Sequence, residues 1–189
     1  MNNNQMNSKN KTIYLTLCGL FASLTAVGAF LSIPLPFTPV PINLATIIVF
    51  LAGGLLDAKY GTLAMVTYTL LGLCGAPVFS GFASGPGVLL GPTGGYIVGY
   101  TICSLIIGLL LQHTPTPTFA KTVFAIMLGL FAIYALGTTW FMILTGNNLG
   151  SALTMCVLPF LIGDALKIIL SAILIIKLKP RLKRTNLRV

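Results

Sequence analysis

Asp164 and Lys167 are the residues of this chain whose chemical types and spacing first indicate a function. The chain has only two acidic residues among 189, and Asp164 lies within the apolar run "VLPFLIGDALKIILSAILIIKLKP" (157–180). A charge placed alone at the centre of a bilayer costs about 2.5–3.5 kcal/mol on insertion scales. Because residues at i and i+3 share one face of a helix, the carboxylate and the ammonium group can neutralise each other.

This pair could have one of two roles. It could be a purely structural buried pair, although a hydrophobic pair of similar volume is often as stable. We favour a polar ligand site, because ionisable groups inside spans usually line a cavity or a pathway. Asp164 lies only a turn or two beyond the preceding uncharged loop, so such a site would receive its ligand from outside.

The rest of the sequence offers little catalytic chemistry. The nearest Gly-rich stretch to a phosphate-binding loop, "GPTGGY", has no lysine. His113 is the single histidine and lies in the polar connection "QHTPTP". Asp57 and Asp164 are expected at different depths, so they do not form a pair for acid–base catalysis. We therefore expect neither an enzyme nor a metal site nor a cofactor.

The four cysteines show no metal-binding spacing and no CxxC motif, so packing is their expected role. They are Cys18, Cys74, Cys103 and Cys156. A disulfide between Cys74 and Cys156, both expected near the outer side, is the alternative.

The amino-acid composition indicates that the helices carrying these residues lie in a lipid membrane and not in water. The chain is 56% hydrophobic and 7% charged, with a mean hydropathy of +0.98, whereas soluble domains carry about 25% charged residues. We predict one all-α membrane domain over 1–189, with a polar tail at 1–11 and a basic tail at 180–189. Sustained apolar stretches do not fit a barrel, whose strands alternate.

Six transmembrane helices are predicted from the lengths of the apolar stretches. The second and third are short, and "DAK" joins them, so they are either thin spans or a hairpin that dips into the protein. "PLPFTPVP" (34–41) follows the first span, and its four prolines enforce an extended path. The predicted segments are 12–33, 42–56, 60–75, 93–111, 121–144 and the segment from 157.

The charges predict the orientation. Basic residues flank the termini and the 57–59 and 112–121 connections, whereas the connections 34–41, 76–92 and 145–156 contain no charged residue. By the positive-inside rule both termini are cytoplasmic and the uncharged loops face out. The basic run after the last span is interpreted as a topology anchor against anionic lipid and not as a nucleic-acid site.

The outer loops contain groups that could surround a small molecule. The stretch "VFSGFASGPGVLLGPTGGY" (78–96) mixes glycines, which allow close backbone approach, with aromatic rings. Loops this long are usually functional, although a passive connection is the alternative. The candidate ring contacts are Phe79, Phe82 and Tyr96, and the candidate polar contacts are Asn43, Ser84, Thr93, Asn147 and Asn148.

Three stretches resemble the BioY family, the biotin-specific S component of energy-coupling factor (ECF) transporters. They are "IPLPFTPVPINLAT" (33–46), "GAPVFSGFASGPGVLLGPTGGYIVGY" (75–100) and "PFLIGDALK" (159–167). The resemblance implies a six-helix protein of the bacterial plasma membrane that binds biotin from outside. It also implies a transmembrane coupling subunit and two ABC-type ATPases as partners. The family's binding function is carried onto Gly91, Pro92, Thr93, Gly94, Gly95, Tyr96, Asp164 and Lys167.

A small-residue face on the first span concerns these partners. Ala22 and Ala26 are four residues apart, a spacing that allows another helix to approach closely, although packing within the chain is equally consistent. S components resembling this one use an alanine pair on the first helix to dock the coupling subunit. The competing function is a self-sufficient secondary transporter with Asp164 as a proton carrier, but no convincing internal repeat supports it.

Overall fold

The structure, a computed structural model, describes residues 3–36 and 38–184, with side chains described from 11 to 182 apart from 37. Five long helices in these ranges contain stretches that are long and apolar enough to cross a membrane. The predicted all-α fold class is therefore confirmed. The elements are α1 (Asn3–Phe30), β1 (Ser32–Leu35), β2 (Thr38–Asn43), α2 (Ala45–Leu73), α3 (Pro86–Leu90), α4 (Gly94–Leu111), α5 (Phe119–Thr145), α6 (Leu149–Cys156) and α7 (Leu161–Arg184).

Helix α2 is broken at Asp57, whose backbone angles are φ 62° and ψ −179°. This region is almost exclusive to glycine and costs a residue with a side chain about 1–3 kcal/mol. A Cβ added to Gly61 would lie 2.7 Å from the carbonyl oxygen of Ala52, whereas residues nine apart in a straight helix are separated by about 13.5 Å. The two halves of α2 therefore form a hairpin, and the bend lies within the predicted "DAK" joint. Counting the halves separately gives six long helices.

The helices run alternately between two ends of the bundle. We call the end that contains the break at Asp57 the bend end, and the opposite end, which contains the β1–β2 hairpin and a cavity described below, the cavity end. At the bend end, the rings of Tyr14 in α1 and Tyr60 in α2 stack with centroids 4.5 Å apart. At the cavity end, β1 and β2 pair in antiparallel fashion, with Ser32 opposite Asn43. The strands on either side of residue 37 are thus extended as predicted, and they form a small hairpin between α1 and α2.

Small residues allow α2 and α4 to pack closely. A Cβ added to Gly53 would lie 3.0 Å from Cβ of Ile107, and one added to Gly108 would lie 2.8 Å from the carbonyl carbon of Asp57. Ile107 is fully buried. This close packing fixes both halves of α2 against α4 and so fixes the walls that the halves contribute at the cavity end.

Lys179 departs from the interpretation of the basic run as a lipid anchor, because it faces the interior of the bundle. Its side chain is only 1% exposed, and its Nζ donates to the carbonyl of Gly54 at 2.8 Å and to Oδ1 of Asp57 at 3.0 Å. The sequence did not predict this contact because the partners are 122 and 125 residues away along the chain. Lys177, by contrast, is exposed.

The cysteines and the histidine take no part in a disulfide or a metal site in the described part of the chain. All four cysteines are free thiols, so the alternative disulfide is not formed. Cys74 is exposed while Cys156 is fully buried. Residues 11–36 and 38–182 contain no group of three or more potential metal ligands.

Candidate functional site

A cavity of about 710 Å³ lies between the helices at the cavity end. Its walls come from α2, α4, α5 and α7, and the β1–β2 hairpin and the 76–93 loop complete it. Sites for small molecules typically measure about 300–1,000 Å³ and combine apolar walls with a few polar groups. The dimensions therefore suit one small organic molecule.

Asp164 and Lys167 form the charged part of the cavity wall. Oδ1 of Asp164 lies 2.9 Å from Nζ of Lys167, and the hydroxyl of Tyr134 in α5 donates to Oδ2 of Asp164. Both charged residues are buried, at 4% and 8% exposure. Asp164 also lies in the first turn of α7, where the helix dipole favours a negative charge. The pair is thus preformed, and the ammonium group keeps donors for a ligand.

Two hydroxyl groups in the cavity wall lack hydrogen-bond partners among the described residues. They are Oγ1 of Thr46, in the first turn of α2, and the hydroxyl of Tyr96 in α4. The Tyr96 hydroxyl lies near Thr138 and Cys156 but makes no hydrogen bond of good geometry. Because an unsatisfied buried hydroxyl is unfavourable, a ligand that supplied partners would gain affinity from both.

Aromatic rings form the apolar part of the wall. Tyr68 meets Phe79 edge to face, with centroids 5.5 Å apart and planes at 83°. The ring of Phe79 lies where a Cβ on Gly72 would be, so this glycine is required for the contact. Offset and edge-to-face aromatic groups form flat, rigid surfaces. These surfaces suit a compact ring system.

The structure places many of the predicted site residues on this cavity. Asn43 donates to Oγ of Ser80 at 3.0 Å and accepts from the backbone of Ala45 at 3.1 Å, so it joins the hairpin to the 76–93 loop. Trp140 donates to the carbonyl of Gly91 at 3.0 Å and holds the turn before α4. The predicted residues that line the cavity are Asn43, Phe79, Gly91, Pro92, Thr93, Tyr96, Asp164 and Lys167.

Four other predicted contacts, Phe82, Ser84, Asn147 and Asn148, do not line the cavity. Phe82 is 65% exposed and covers the ring of Phe30 from outside, with centroids 4.4 Å apart. Ser84 is exposed. Asn148 caps α6 by accepting from the backbone of Ser151 at 2.9 Å, and Asn147 donates to Thr145.

Gly94 and Gly95 also lie outside the cavity wall, and both pack closely against neighbouring elements. A Cβ on Gly94 would overlap the carbonyl of Leu89, and one on Gly95 would lie 2.7 Å from the carbonyl oxygen of Leu136. The two glycines allow α4 to begin against α3 and α5. The sequence could not separate this requirement from loop flexibility, because both favour glycine.

The predicted docking pair lies on the inward face of α1. Ala22 and Ala26 are 1% and 7% exposed and belong to the core, so a partner helix could not reach them in this conformation. The outward face of the same helix includes Gly19 and Ser23. Because α1 has small residues on both faces, the sequence could not show which face packs against the bundle and which face is exposed.

Several cavity residues were not predicted. Tyr68, Tyr100 and Tyr134 reach the cavity from three helices, and Thr46 reaches it from the start of α2. A tyrosine within a span has a polar tip that needs a partner, which is the signal that could have indicated these three residues. Threonine carries no such signal, because its hydroxyl can bond within its own helix.

These features define a multi-pass membrane protein with an amphipathic cavity large enough for one small molecule. The model of the BioY family matches residues 2–184, and the chain therefore belongs to the BioY family. It is 40% identical over 165 residues to the biotin transporter BioY of Thermotoga maritima, covering 87% of this chain and 95% of the relative. It is 39% identical over 153 residues to the probable biotin transporter BioY of Pyrococcus horikoshii, covering 81% and 88%.

A solved structure agrees with this assignment over almost the whole chain. It is the crystal structure of the S-component for biotin from an ECF-type ABC transporter, which superposes with a TM-score of 0.84 at 31% identity. The match covers 95% of this chain and 94% of the other. The fold of this chain is therefore shared with an experimentally determined structure over nearly its whole length.

Proposed function

We propose that this chain is the biotin-binding membrane subunit of an ECF transporter. It captures biotin at the cavity end and delivers it inward together with an ATP-driven module. The structural match to a biotin S-component over 95% of the chain carries this proposal. The cavity supports it independently, since its charged pair and aromatic walls suit a small molecule that is apolar in its middle and polar at both ends.

The chemistry of biotin can be compared with the cavity group by group. Its ureido ring offers two N–H donors and one acceptor, its thioether ring and chain are apolar, and its carboxylate is an anion. Asp164 can accept from a ureido N–H, and Lys167 can donate to the ureido oxygen or to the carboxylate. Because neighbouring side chains do not span both ends of the ligand, other groups must hold the second end. The hydroxyls of Thr46 and Tyr96 are available for that role.

The arrangement of charge supports an inward orientation of the bend end. Lys59, Lys121 and Lys177 lie at the bend end or beside its connections, whereas the loops at the cavity end carry no charged residue. By the positive-inside rule the termini are cytoplasmic and the cavity opens outward. The sequence has no phosphate-binding loop, so a coupling subunit and two ABC-type ATPases would supply the energy. We assign the chain itself no catalytic step.

The test is equilibrium binding of biotin to the purified, detergent-solubilised chain, compared with riboflavin and thiamine. We expect selective binding of biotin with one molecule per chain. A folded protein that does not bind biotin would overturn the proposal. Uptake into liposomes, with and without the ATPases and the coupling subunit, separates this function from a self-sufficient carrier, which would need neither.

A further inference from the structure

Helix α7 has one buried stripe, polar at four of its five positions, that connects the cavity end with the bend end. Asp164, Lys167, Ser171, Ile175 and Lys179 follow one another at intervals of three or four residues, and none is more than 8% exposed. Such spacing places residues along one helical face. The stripe begins with the ion pair of the cavity and ends, about 22 Å away along the helix, with the ion pair of the bend.

Lys179 is placed where the break in α2 leaves backbone groups in need of partners. Its Nζ donates to the carbonyl of Gly54, in the last turn before the break at Asp57, and to the carboxylate of Asp57 itself. Carbonyl groups in the last turn of a helix lose their intrahelical partners, and a cation there is favoured by the helix dipole. The carboxylate in turn balances the buried ammonium charge.

The contact between α7 and α2 is also close next to this ion pair. A Cβ on Gly54 would lie 2.7 Å from Cγ1 of Ile175. The absence of a side chain at Gly54 therefore provides the space that the Ile175 side chain occupies. Both halves of α2 reach the cavity, since Thr46 lies at the start of the first half and Tyr68 lies in the second. The bend is therefore the junction of two cavity walls, and α7 forms a third.

We propose that Lys179, together with Asp57, is a positioning residue for the ligand cavity. The pair locks α7 to the bend of α2 and so holds Asp164 and Lys167 at the correct depth and rotation against the walls formed by α2. A helix transmits this constraint because it is rigid over a few turns. The effect on ligand binding rests on the proposed function of the cavity as the biotin site, whereas the lock between the helices does not.

The experiment compares Lys179→Met with Lys177→Met in the full chain. Both variants remove one positive charge from the same end of α7, but Lys177 is exposed. We measure the dissociation constant for biotin well below the melting temperature of each variant, and hydrogen exchange of residues 161–168 without ligand. For Lys179→Met we expect at least tenfold weaker binding and faster exchange at 161–168. For Lys177→Met we expect less than a twofold change in affinity and unchanged exchange.

A second variant keeps the test decisive if Lys179→Met does not fold. Asp57→Asn/Lys179→Met removes both charges, so no unpaired charge remains buried, but the lock is still lost. We expect this double variant to fold and to bind biotin at least tenfold more weakly than the wild type. Wild-type affinity in either folded variant, or faster exchange confined to the bend, would overturn the proposal.

Failure of the proposed biotin function has a different signature. In that case the wild-type chain itself would not bind biotin. Hydrogen exchange at 161–168 would then be the remaining test of whether Lys179 and Asp57 hold α7 against α2. Faster exchange in Lys179→Met than in Lys177→Met supports it, and equal exchange overturns it.

Discussion

Asp164 has both carboxylate oxygens engaged by protein groups before any ligand binds. Lys167 donates to one oxygen and Tyr134 donates to the other. A carboxylate has about four lone-pair sites, so it can still accept from a ligand, and its position is already fixed. The binding free energy is then not reduced by the entropy of ordering this side chain.

The first prediction concerns the charge of this carboxylate. We expect Asp164→Asn to weaken biotin binding by roughly tenfold to a hundredfold, because hydrogen bonds to charged groups contribute about 1.5–3 kcal/mol. Tyr134→Phe is the graded control, since it removes one hydroxyl and leaves the ion pair, and should cost roughly two- to tenfold. Both are measured by equilibrium binding to folded protein. If Asp164→Asn lowers the melting temperature but leaves the affinity unchanged, the pair is structural.

The second prediction concerns the hydroxyl of Thr46 in the cavity wall. We expect Thr46→Val, which keeps the shape of the side chain, to weaken biotin binding roughly two- to tenfold if the ligand hydrogen-bonds this group. The melting temperature of the free protein should not fall, because the hydroxyl has no partner within the described residues. Thr62→Val is the matched control, since its buried hydroxyl also lacks a partner there but does not line the cavity. Equal affinities for the two variants would remove Thr46 from the site.

At the level of residues, the sequence predicted what is energetically unusual. A charged pair inside an apolar span is costly, so its spacing alone indicated the site. The polar tip of Tyr134 was a signal that the sequence analysis did not use, whereas Thr46 carried none, and only the fold shows that both reach the same cavity. The asparagines at 147 and 148 were predicted for their chemistry, but Asn148 caps α6 and Asn147 donates to Thr145, the last residue of α5.

Among the elements, the break in α2 was located correctly because it has a local cause. The polar joint "DAK" interrupts two apolar segments that are each too short for a comfortable crossing. What stabilises the bend is not local, since Lys179 comes from the other end of the chain. Pairing between residues more than a hundred positions apart cannot be deduced from periodicity.

The third prediction belongs to helix α1. We expect Ala22→Trp to lower the melting temperature markedly, because a large ring would overpack the α1–α2 interface at a cost of about 1–3 kcal/mol or more. Ser23→Trp places the same ring on the exposed face and should leave stability nearly unchanged. Thermal unfolding of the two variants in the same detergent compares them directly. Equal melting temperatures would mean that Ala22 is accessible after all, as the sequence pattern had indicated for a docking residue.

At the scale of the whole molecule, two loops from different parts of the chain close the cavity together. The hydrogen bond from Asn43 to Ser80 connects the β1–β2 hairpin to the 76–93 loop, and the stack of Phe82 on Phe30 connects the same loop to the end of α1, directly before the hairpin. Phe82 has a φ of 58°, which is unfavourable for a bulky side chain, so its stack holds a strained backbone. The start of α4 is excluded from this cover, because Gly94 and Gly95 are packed against neighbouring elements.

The fourth prediction is that this cover moves as one unit when ligand binds. Biotin at saturation should slow hydrogen exchange in 32–43 and in 76–90 together, because closure removes both from water and strengthens the polar contacts inside. The connection 112–118, at the bend end, should show no comparable change. Phe82→Ala removes the stack without altering the cavity wall, so it should reduce protection in both loops and speed biotin release. Protection of one loop without the other, or equal exchange with and without biotin, would mean that the hairpin and the loop do not act as a common cover and that ligand retention depends on the cavity contacts alone.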